Sequence, residues 1–458
     1  MNRRVFLRGG ALAFLALGMP PSFFTKSLLA ETRGAARKKT LICIFQRGAV
    51  DGLSMVVPFG ERAYYAGRRS IAVAAPSSSR ENTALDLDGF FGLHPSLRPL
   101  HDLFGRTELA IVHAVGSPHP TRSHFDAQDF METATPGVKS TRDGWLNRVL
   151  ANSGESCADC SGRTLEDRRA HAADHAAGQV GLGTAAGQVG LGTAAGQAGL
   201  GAAALRGVSL GPETPRALRG RHPSLAIADL DTFGVAGGRD ASLENAFTRT
   251  YGTEASSIIG EAADGAFEAI NILRKVNIRG YRPASGVQYP PGEFGRSLRQ
   301  VAQLIKAEVG VEIAFVDIGG WDTHQAQGGA QGQLARRFEE LGRGIRALYD
   351  DLGDRMNDVV VLTMSEFGRT VRENGTGGTD HGHANCMFVM GGKVKGGRVY
   401  GDWPGLEPEQ LNEGRDLAVT TDFRAVFGEV VDKHLGARAL DRIFPGYRLE
   451  RSAYRGVL

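Results

Sequence analysis

Short runs of mostly apolar, often β-branched residues recur along the chain, and each one ends in a polar turn. These runs cover residues 41–45, 109–115, 313–318, 359–362 and 387–390. A run of this length without polar alternation is typical of a strand that is buried on both faces, as in a parallel sheet. Between two of them, residues 330–351 place apolar side chains on one face of a helix. The pattern therefore predicts an α/β fold with a largely parallel central sheet and helices on both faces.

Carboxylate and histidine side chains cluster in the turns beside three of these predicted strands. They are Asp322, His324, Glu366, Asp380, His381 and His383. Ligands of open α/β sheets bind outside the carboxyl ends of the strands, so we expect these side chains to converge there. Imidazole and carboxylate groups are metal ligands, and their combination predicts a metal site. The alternative is local: His381 and His383 satisfy turn backbone, and Asp322 forms an Asx-turn beside a surface histidine.

Asp51 occupies the comparable position after the first run, next to Gly52. It is placed to ligate a metal, and it equally suits the turn that Gly52 indicates. The sequence leaves both roles open. Cys43, inside the same run, is most simply a small buried hydrophobic residue.

The turn after the second run, residues 116–126, is rich in hydroxyl and imidazole groups. Three histidines lie in or beside it: His113, His119 and His124. Ser123 and Asp126 have a capping-box-like spacing, which predicts that Ser123 starts a helix over residues 127–133. A helix start also favours a bound anion, so Ser123 is equally a candidate nucleophile. Arg122 suits an oxyanion of phosphate or sulfate, or is simply solvated.

Residues 1–30 have the organisation of an export signal. A basic start that contains Arg3 and Arg4 precedes an apolar run over residues 9–19, which is shorter than the roughly 20 residues that span a bilayer. The arginine pair followed by Phe-Leu closely resembles a twin-arginine (Tat) signal. We therefore predict export of the folded protein by the Tat translocase to the periplasm or beyond, with no stable transmembrane span after cleavage. An uncleaved N-terminal anchor is the alternative.

Residues 151–205 differ in character from the rest of the chain. A Gly- and Ala-rich nonapeptide recurs from residues 176, 185 and 194, without charged or aromatic side chains. Such small residues cannot bury enough apolar area to offset chain entropy, which predicts a flexible surface insertion. A β-solenoid fragment is the alternative. Cys157 and Cys160 form a lone CxxC without a second pair for zinc, and we expect at most a small disulfide there.

Composition narrows the function classes. The formal charge is +3, and residues 1–30 contribute four cations and no acid, so the remainder sums to −1 (+3 minus 4). A nearly neutral mature chain offers no electrostatic basis for binding nucleic acid. The length of 458 residues allows one large α/β domain, and four cysteines are too few for a disulfide scaffold.

Five motifs carry a family resemblance. They begin at Gln46 (QRGAVDGLS), Ser117 (SPHPTRSHFDAQDFME), Gly319 (GGWDTH), Thr363 (TMSEFGRT) and Gly378 (GTDHGHAN). Together they resemble the bacterial exported family called domain of unknown function 1501, a distant branch of the alkaline phosphatase and sulfatase superfamily. The resemblance implies a single alkaline phosphatase-like domain over residues 38–455, interrupted by the insert at 151–205.

The superfamily resemblance also implies roles for individual residues. Asp51 would take the role of the early metal-binding aspartate, and Ser123 or Thr121 that of the nucleophile. The implied ligands of one metal are Asp322 and His324 together with His381 or His383.

Two departures from the superfamily pattern bear on how many metal ions each chain holds. Glu366 falls where the superfamily has the Asp of an Asp-His pair, and Phe367 stands where that His would be. A phenyl ring cannot coordinate, and the spacing of Asp322 and His324 is tighter than usual. The resemblance therefore implies a divalent metal, Zn or Mn, at one or two per chain, with Asp380 as a further candidate ligand.

These observations lead to two functional hypotheses. The first is metal-dependent hydrolysis or transfer of a phosphate or sulfate ester, with a small-molecule or polymer substrate. The second is a non-catalytic metal-binding protein of an envelope or surface-assembly system that retains the fold. A purely structural metal is a third interpretation of the same residues.

Overall fold

The structure is a computed structural model that describes residues 38–153, 203–230, 269–273 and 280–458. The predicted export signal at 1–30 lies outside the described residues. So does most of the predicted insert, including Cys157 and Cys160.

Twelve strands and nine α-helices are described in these ranges. The strands are β1 (Thr40–Gln46), β2 (Val56–Val57), β3 (Leu85–Asp86), β4 (Gly92–Leu93), β5 (Leu109–Gly116), β6 (Gly207–Ser209), β7 (Leu225–Ala226), β8 (Ile313–Ile318), β9 (Val359–Met364), β10 (Asn385–Gly391), β11 (Arg398–Tyr400) and β12 (Thr421–Asp422). The helices are α1 (Gly52–Met55), α2 (Arg62–Gly67), α3 (Arg98–Gly105), α4 (His124–Thr133), α5 (Trp145–Asn152), α6 (Glu293–Lys306), α7 (Gln333–Leu352), α8 (Phe423–Lys433) and α9 (Leu440–Ile443). All five apolar runs form strands, as the sequence predicts.

The main sheet is mostly parallel, which confirms that part of the prediction. Within the described ranges it has nine strands in the order β11-β5-β10-β9-β1-β8-β6-β7, with β12 beside β5. Strand β10 is the exception, because it runs antiparallel to both β5 and β9. A parallel partner of β9 needs a crossover to the opposite edge of the sheet, usually through a helix. The segment between β9 and β10 contains no helix, so the chain turns back from the same edge.

The central strand β1 shows how the two faces of the sheet are covered. Its residues are all buried, and alternate side chains point to opposite faces. Ile42 and Ile44 pack in the cluster that contains the apolar faces of α3, α6 and α7. Cys43 and Phe45 pack in the cluster that contains Trp145 of α5 together with apolar residues of α8. Helices therefore cover both faces, and Cys43 is a buried hydrophobic residue as expected.

A second, smaller sheet joins β2, β4 and β3 in that order, with antiparallel pairing. Among the residues that the structure describes, no helix is both long and apolar enough to cross a bilayer.

Candidate metal centre

Four loops meet at one edge of the main sheet. Three of them follow the carboxyl ends of β5, β8 and β9, which run in the same direction. The fourth precedes β10, and it reaches the same edge because β10 runs the opposite way. The reversed strand therefore brings the residues just before β10 to the ligand-binding edge of a parallel sheet.

The loops bring three imidazoles and one carboxylate together. His124, Asp322 and His381 each offer one ligand atom, and these atoms lie within 4.8 Å of one another. Nε2 of His381 is 3.0 Å from Nε2 of His124 and 3.0 Å from Nε2 of His324. Oδ1 of Asp322 is 3.0 Å from Nε2 of His324 and 3.3 Å from Nε2 of His381. We call His124, Asp322, His324 and His381 the metal cluster.

The spacing suits a small divalent cation. Ligands at about 2.0–2.1 Å from a tetrahedral zinc are separated from one another by roughly 3.3 Å. The nearest contacts in the metal cluster, 3.0 to 3.5 Å, match that separation. The four side chains are between 24 % and 46 % exposed, so solvent and a dissolved ligand can reach them.

The second ring nitrogen of each histidine is held by an oxygen that only accepts hydrogen bonds. The three contacts are His124 Nδ1 to Glu366 Oε1 at 2.8 Å, His324 Nδ1 to Asp380 Oδ1 at 2.9 Å, and His381 Nδ1 to the Arg122 carbonyl at 2.9 Å. In the neutral ring the proton therefore lies on Nδ1, and Nε2 carries a lone pair. Lone pairs that face one another across 3.0 Å repel, and a proton or a metal ion between them would relieve that repulsion. This arrangement, with the outer nitrogen held by a carboxylate or carbonyl, is the one found in metal-binding histidines.

Glu366 orients His124 by accepting a hydrogen bond from its Nδ1. Its side chain is fully buried, and Oε1 also accepts hydrogen bonds from the Gly48 amide and the Gln128 amide, both at 2.9 Å. Burial opposes its ionisation, but the hydrogen bonds from His124 and Gln128 outweigh it and lower the pKa of Glu366. In turn, the hydrogen bond to Glu366 raises the pKa of His124. Glu366 is thus an ionised positioning residue, with its oxygens already engaged by donors.

Asp380 orients His324 by accepting a hydrogen bond from its Nδ1, and this carboxylate is exposed. Hydrogen bonds from Asn374 and His324 lower the pKa of its carboxyl group. The pKa of His381 is lowered, mainly because the ring is partly buried and also because Arg369 is nearby. The sequence predicts Glu366 and Asp380 as metal ligands. In the structure their carboxylates contact Nδ1 of His124 and of His324 and reach the metal cluster only through these rings.

Arg369 fixes Asp322 and the loops around it. Its side chain is buried, and Nη2 lies 2.5 Å from Asp322 Oδ1. The same guanidinium donates to the backbone carbonyls of Gly48, Ala49 and Thr379. Burial tends to raise the pKa of Asp322, but Arg369 outweighs this effect and lowers it. Asp322 is therefore ionised, as a metal ligand must be.

Phe367 packs against the metal cluster without offering a ligand atom. Its ring centroid lies 4.9 Å from those of His124 and His381, and its side chain is 3 % exposed. The phenyl ring limits the rotation of both imidazoles and excludes water from beneath them. It therefore forms an apolar wall of the site, at the position where a histidine would have supplied another nitrogen.

Asp51 does not join the metal cluster. Its buried carboxylate lies 2.5 Å from Arg68 Nη1 and 2.9 Å from Arg68 Nη2, and it also accepts hydrogen bonds from Ser54 and Gln327. Burial opposes its ionisation, but Arg68 outweighs this effect and lowers its pKa. A guanidinium thus compensates the charge that a metal would otherwise neutralise. Arg68 lies beyond the end of α2, so no local pattern around Asp51 reveals the pair.

Ser123 is exposed and occupies the N-cap position of α4, directly before His124. Its hydroxyl makes no capping hydrogen bond, so the predicted capping box is wrong. The Ser123 backbone amide instead donates a hydrogen bond to the Thr121 hydroxyl at 3.3 Å.

Arg122 and His383 face away from the cluster in their side-chain contacts. The Arg122 guanidinium forms ion pairs with Glu413 at 2.9 Å and Asp416 at 3.1 Å. His383 Nε2 lies 2.9 Å from the Ser117 carbonyl. For His383, the local alternative of satisfying loop backbone describes the structure.

Sequence reasoning did not assign His124 and Arg369 to the site. The available signal for His124 was the density of histidines in its turn, which pointed to the region without selecting the residue. Arg369 lies in the motif that contains Glu366, and only its burial distinguishes it from a surface arginine.

The fold and site define an α/β protein with three imidazoles and one carboxylate gathered at the ligand-binding edge of a mostly parallel sheet. The chain matches the family model described as Protein of unknown function (DUF1501) over residues 38–443. It belongs to this family. No curated protein matches the chain.

Proposed function

We propose that the protein is an exported, metal-dependent hydrolase or transferase of phosphate or sulfate esters, built on an alkaline phosphatase-like fold. The observation that carries the proposal is the metal cluster, in which His124, Asp322 and His381 offer ligand atoms within 4.8 Å of one another and His324 Nε2 lies 3.0 Å from two of these residues. Partial exposure of all four side chains supports catalysis, because an ester in solution can approach the same point. The resemblance to the superfamily supplies the reaction class.

One metal per chain is the stoichiometry that we propose. A second metal would need additional carboxylates, and the two nearest candidates by sequence are engaged elsewhere. Asp51 is neutralised by Arg68, and Glu366 accepts hydrogen bonds from four donors, three at Oε1 and the Ser365 hydroxyl at Oε2. Imidazole ligands suit zinc and carboxylates suit manganese as well, so Zn or Mn fits the donor set.

A divalent metal held here would supply Lewis acidity and lower the pKa of an oxygen nucleophile. Glu366 and Asp380 orient the histidine rings, and Arg369 holds Asp322 in its ionised form. Ser123, exposed beside His124, is the nucleophile that we favour. Its oxygen would bond to phosphorus or sulfur while the ester oxygen leaves as an alcohol, and water would then release phosphate or sulfate.

The N-terminus of α4 is the element that we propose for holding the anionic group. Free backbone N–H groups at a helix start favour negative charge. Arg122 is a weaker candidate, because Glu413 and Asp416 already compensate its charge. This assignment leaves the anion between the helix start and the metal cluster.

Export by the Tat pathway is part of the proposal. The arginine pair Arg3–Arg4 and the short apolar run after it support this route, and they favour a periplasmic or secreted location. Replacing both arginines by lysine should retain the protein in the cytoplasm, as fractionation and immunoblotting would reveal.

The decisive experiment is elemental analysis of the purified protein, followed by turnover of p-nitrophenyl phosphate and p-nitrophenyl sulfate. We expect about one Zn or Mn per chain and metal-dependent release of nitrophenol from one of the two esters. A protein that contains no metal after gentle purification would rule out the proposed enzyme.

The second candidate function is non-catalytic metal binding in envelope or surface assembly. It is favoured by one observation: His324 Nε2 lies 3.0 Å from His381 Nε2 and 3.0 Å from Asp322 Oδ1, beside the three residues whose ligand atoms lie within 4.8 Å of one another, and would complete the four ligands of a structural zinc site. In that case metal removal lowers the melting temperature, and neither ester is turned over with the metal present.

A further inference from the structure

A cleft of about 650 Å³ with both polar and apolar lining lies against α4, beside the metal cluster. The same helix begins with His124 and lines the cleft with Phe125, Gln128 and Asp129. Gln128 joins the two sites physically, because it lines the cleft and donates to Glu366 at 2.9 Å. The volume falls within the range of about 300–1,000 Å³ that small-molecule sites occupy. A group attached to an ester at the metal cluster could therefore extend along α4 into this cleft.

An exposed aromatic ring stands at the border of the cleft. Phe125 is 90 % exposed, which makes it the more exposed of the two large hydrophobic residues at the described surface. Two prolines, Pro212 and Pro215, contribute further apolar surface to the lining. A flat ring in this position offers a stacking platform for an apolar ligand face, at little cost in ordering, since Phe has only two side-chain torsions.

The remaining lining is charged, and its charges are largely paired. Arg47 contacts Glu132 at 2.9 Å and Asp317 at 2.6 Å, and Arg216 contacts Asp129 at 2.8 Å. Including Glu213 and Arg219, the lining holds four acids and three arginines. The excess of acid disfavours a polyanion, and burying these pairs under an acyl chain would cost their hydration.

A neutral ligand with several hydroxyl groups fits both the exposed aromatic ring and the paired charges of the cleft. Its hydroxyl groups can donate to the carboxylates and accept from the guanidinium groups without disturbing the pairs. Its less polar ring face can lie on Phe125. Sugars are the common ligands that combine a ring of hydroxyl groups with an apolar face.

We infer that the cleft beside α4 binds a neutral sugar residue, with Phe125 as its stacking platform and the paired acids and arginines as its hydroxyl partners. The extension to catalysis, that the ester cleaved at the metal cluster is carried by this sugar, rests on the proposed function.

The test is binding of unesterified neutral disaccharides, which requires no turnover. Maltose, cellobiose and N,N′-diacetylchitobiose would be titrated onto the full chain as purified, with saturation-transfer NMR as the readout. We expect at least one to bind, and Phe125→Ala to weaken that binding about ten-fold, the loss of roughly 1.4 kcal/mol of stacking and burial. Val138→Ala is the matched control: Val138 is the other exposed large hydrophobic residue, lies outside the cleft lining, and its replacement should leave binding unchanged.

Failure of this inference and failure of the proposed function give different results. Sugar binding to a wild-type protein that contains its metal but turns over neither ester supports the cleft and removes the hydrolase. Turnover of p-nitrophenyl esters without binding of any of the three sugars overturns the cleft inference and leaves the hydrolase. Equal sugar affinity in Phe125→Ala and wild type also overturns it.

Discussion

Asp51 and Asp322 follow β1 and β8, which are neighbouring parallel strands of the main sheet, yet their environments are opposite. Asp51 is fully buried, and both of its oxygens are engaged by Arg68. Asp322 is 46 % exposed; Arg369 holds one of its oxygens, and the other lies 3.5 Å from His124. The same residue type at equivalent strand ends is thus a structural ion-pair partner in one loop and a candidate ligand in the next. Each carboxylate lies 2.5 Å from a buried arginine, so the difference is made by the exposure of Asp322 and by its second oxygen, which faces His124 where that of Asp51 faces Arg68.

Arg68→Met is the change that should disturb this comparison most. It leaves the Asp51 carboxylate buried without its partner, which costs about 3–5 kcal/mol in other proteins. Urea unfolding would measure the loss. As a control, Arg346→Met removes partly exposed ion pairs with Asp102 and Asp350 and should cost at most about 1 kcal/mol. A variant that stays stable and takes up a second metal would mean that Asp51 is a latent ligand.

Lowering the pH should destabilise the folded protein through three buried histidines. The loss should begin above the pKa values that these histidines have in the folded state. Burial lowers the pKa of His94, His113 and His434 to about 4, from 6.5 in the unfolded chain. Between these values the unfolded state binds more protons, so stability is complete above about pH 6.5 and is lost as the pH falls towards 4. Each histidine contributes a slope of up to about 1.4 kcal/mol per pH unit.

His434→Gln isolates one contribution to that slope, since the His434 side chain is hydrogen-bonded in the described structure to the Thr40 carbonyl. Chemical denaturation between pH 7 and pH 4 should give a shallower pH dependence than in wild type. An unchanged slope would show that this histidine is protonated in the folded protein.

His124→Gln and His383→Gln separate a cluster histidine from a loop histidine. We expect the first to abolish metal binding and the second to retain it, because only His124 directs Nε2 at the other cluster nitrogens. With free metal at 100 times its Kd, loss of binding should remove about 2.7 kcal/mol of stability. Metal content and melting temperature with and without EDTA are the measurements. Equal metal loss in both variants would contradict the assignment of His383.

Glu366→Gln tests the support beneath His124. The amide preserves the shape of the side chain but weakens the charge-assisted hydrogen bond that Nδ1–H of His124 donates to Oε1, and outer-ligand changes of this kind cost about 10- to 100-fold in metal affinity. Asp380→Asn is the matched exposed counterpart, and we expect a smaller effect because water can replace its hydrogen bond. Competition with a chromogenic chelator would rank the two, and the reverse order would argue against the role of burial.

Ser123→Ala should have the smallest effect on stability, within about 0.5 kcal/mol, because the Ser123 hydroxyl makes no capping hydrogen bond. If Ser123 is the nucleophile, ester turnover falls by orders of magnitude in the same variant. Thr121→Val distinguishes the other candidate hydroxyl. Retained turnover in Ser123→Ala with loss in Thr121→Val would transfer the role to Thr121.

The sequence by itself determined the strands, the layered α/β organisation and the edge at which chemistry gathers. Hydrophobic periodicity is a local property, so the apolar runs around Ile42 and Val360 could be recognised without knowledge of their neighbours. The polar residues after those runs could be assigned to one edge because parallel strands share it. Asp322, His324 and His381 were recognised in this way.

Only the tertiary structure decided which of these residues face one another. The direction of β10, the pairing of Asp51 with Arg68, and the contact of His124 with His381 each depend on segments that are distant in sequence or on the path of a loop. Asp51 and Asp322 each lie 2.5 Å from a buried arginine, and packing decides that Asp322 alone of the two also lies within 4 Å of histidine nitrogens. That proximity is a property of the packed chain, and no local pattern of residues contains it.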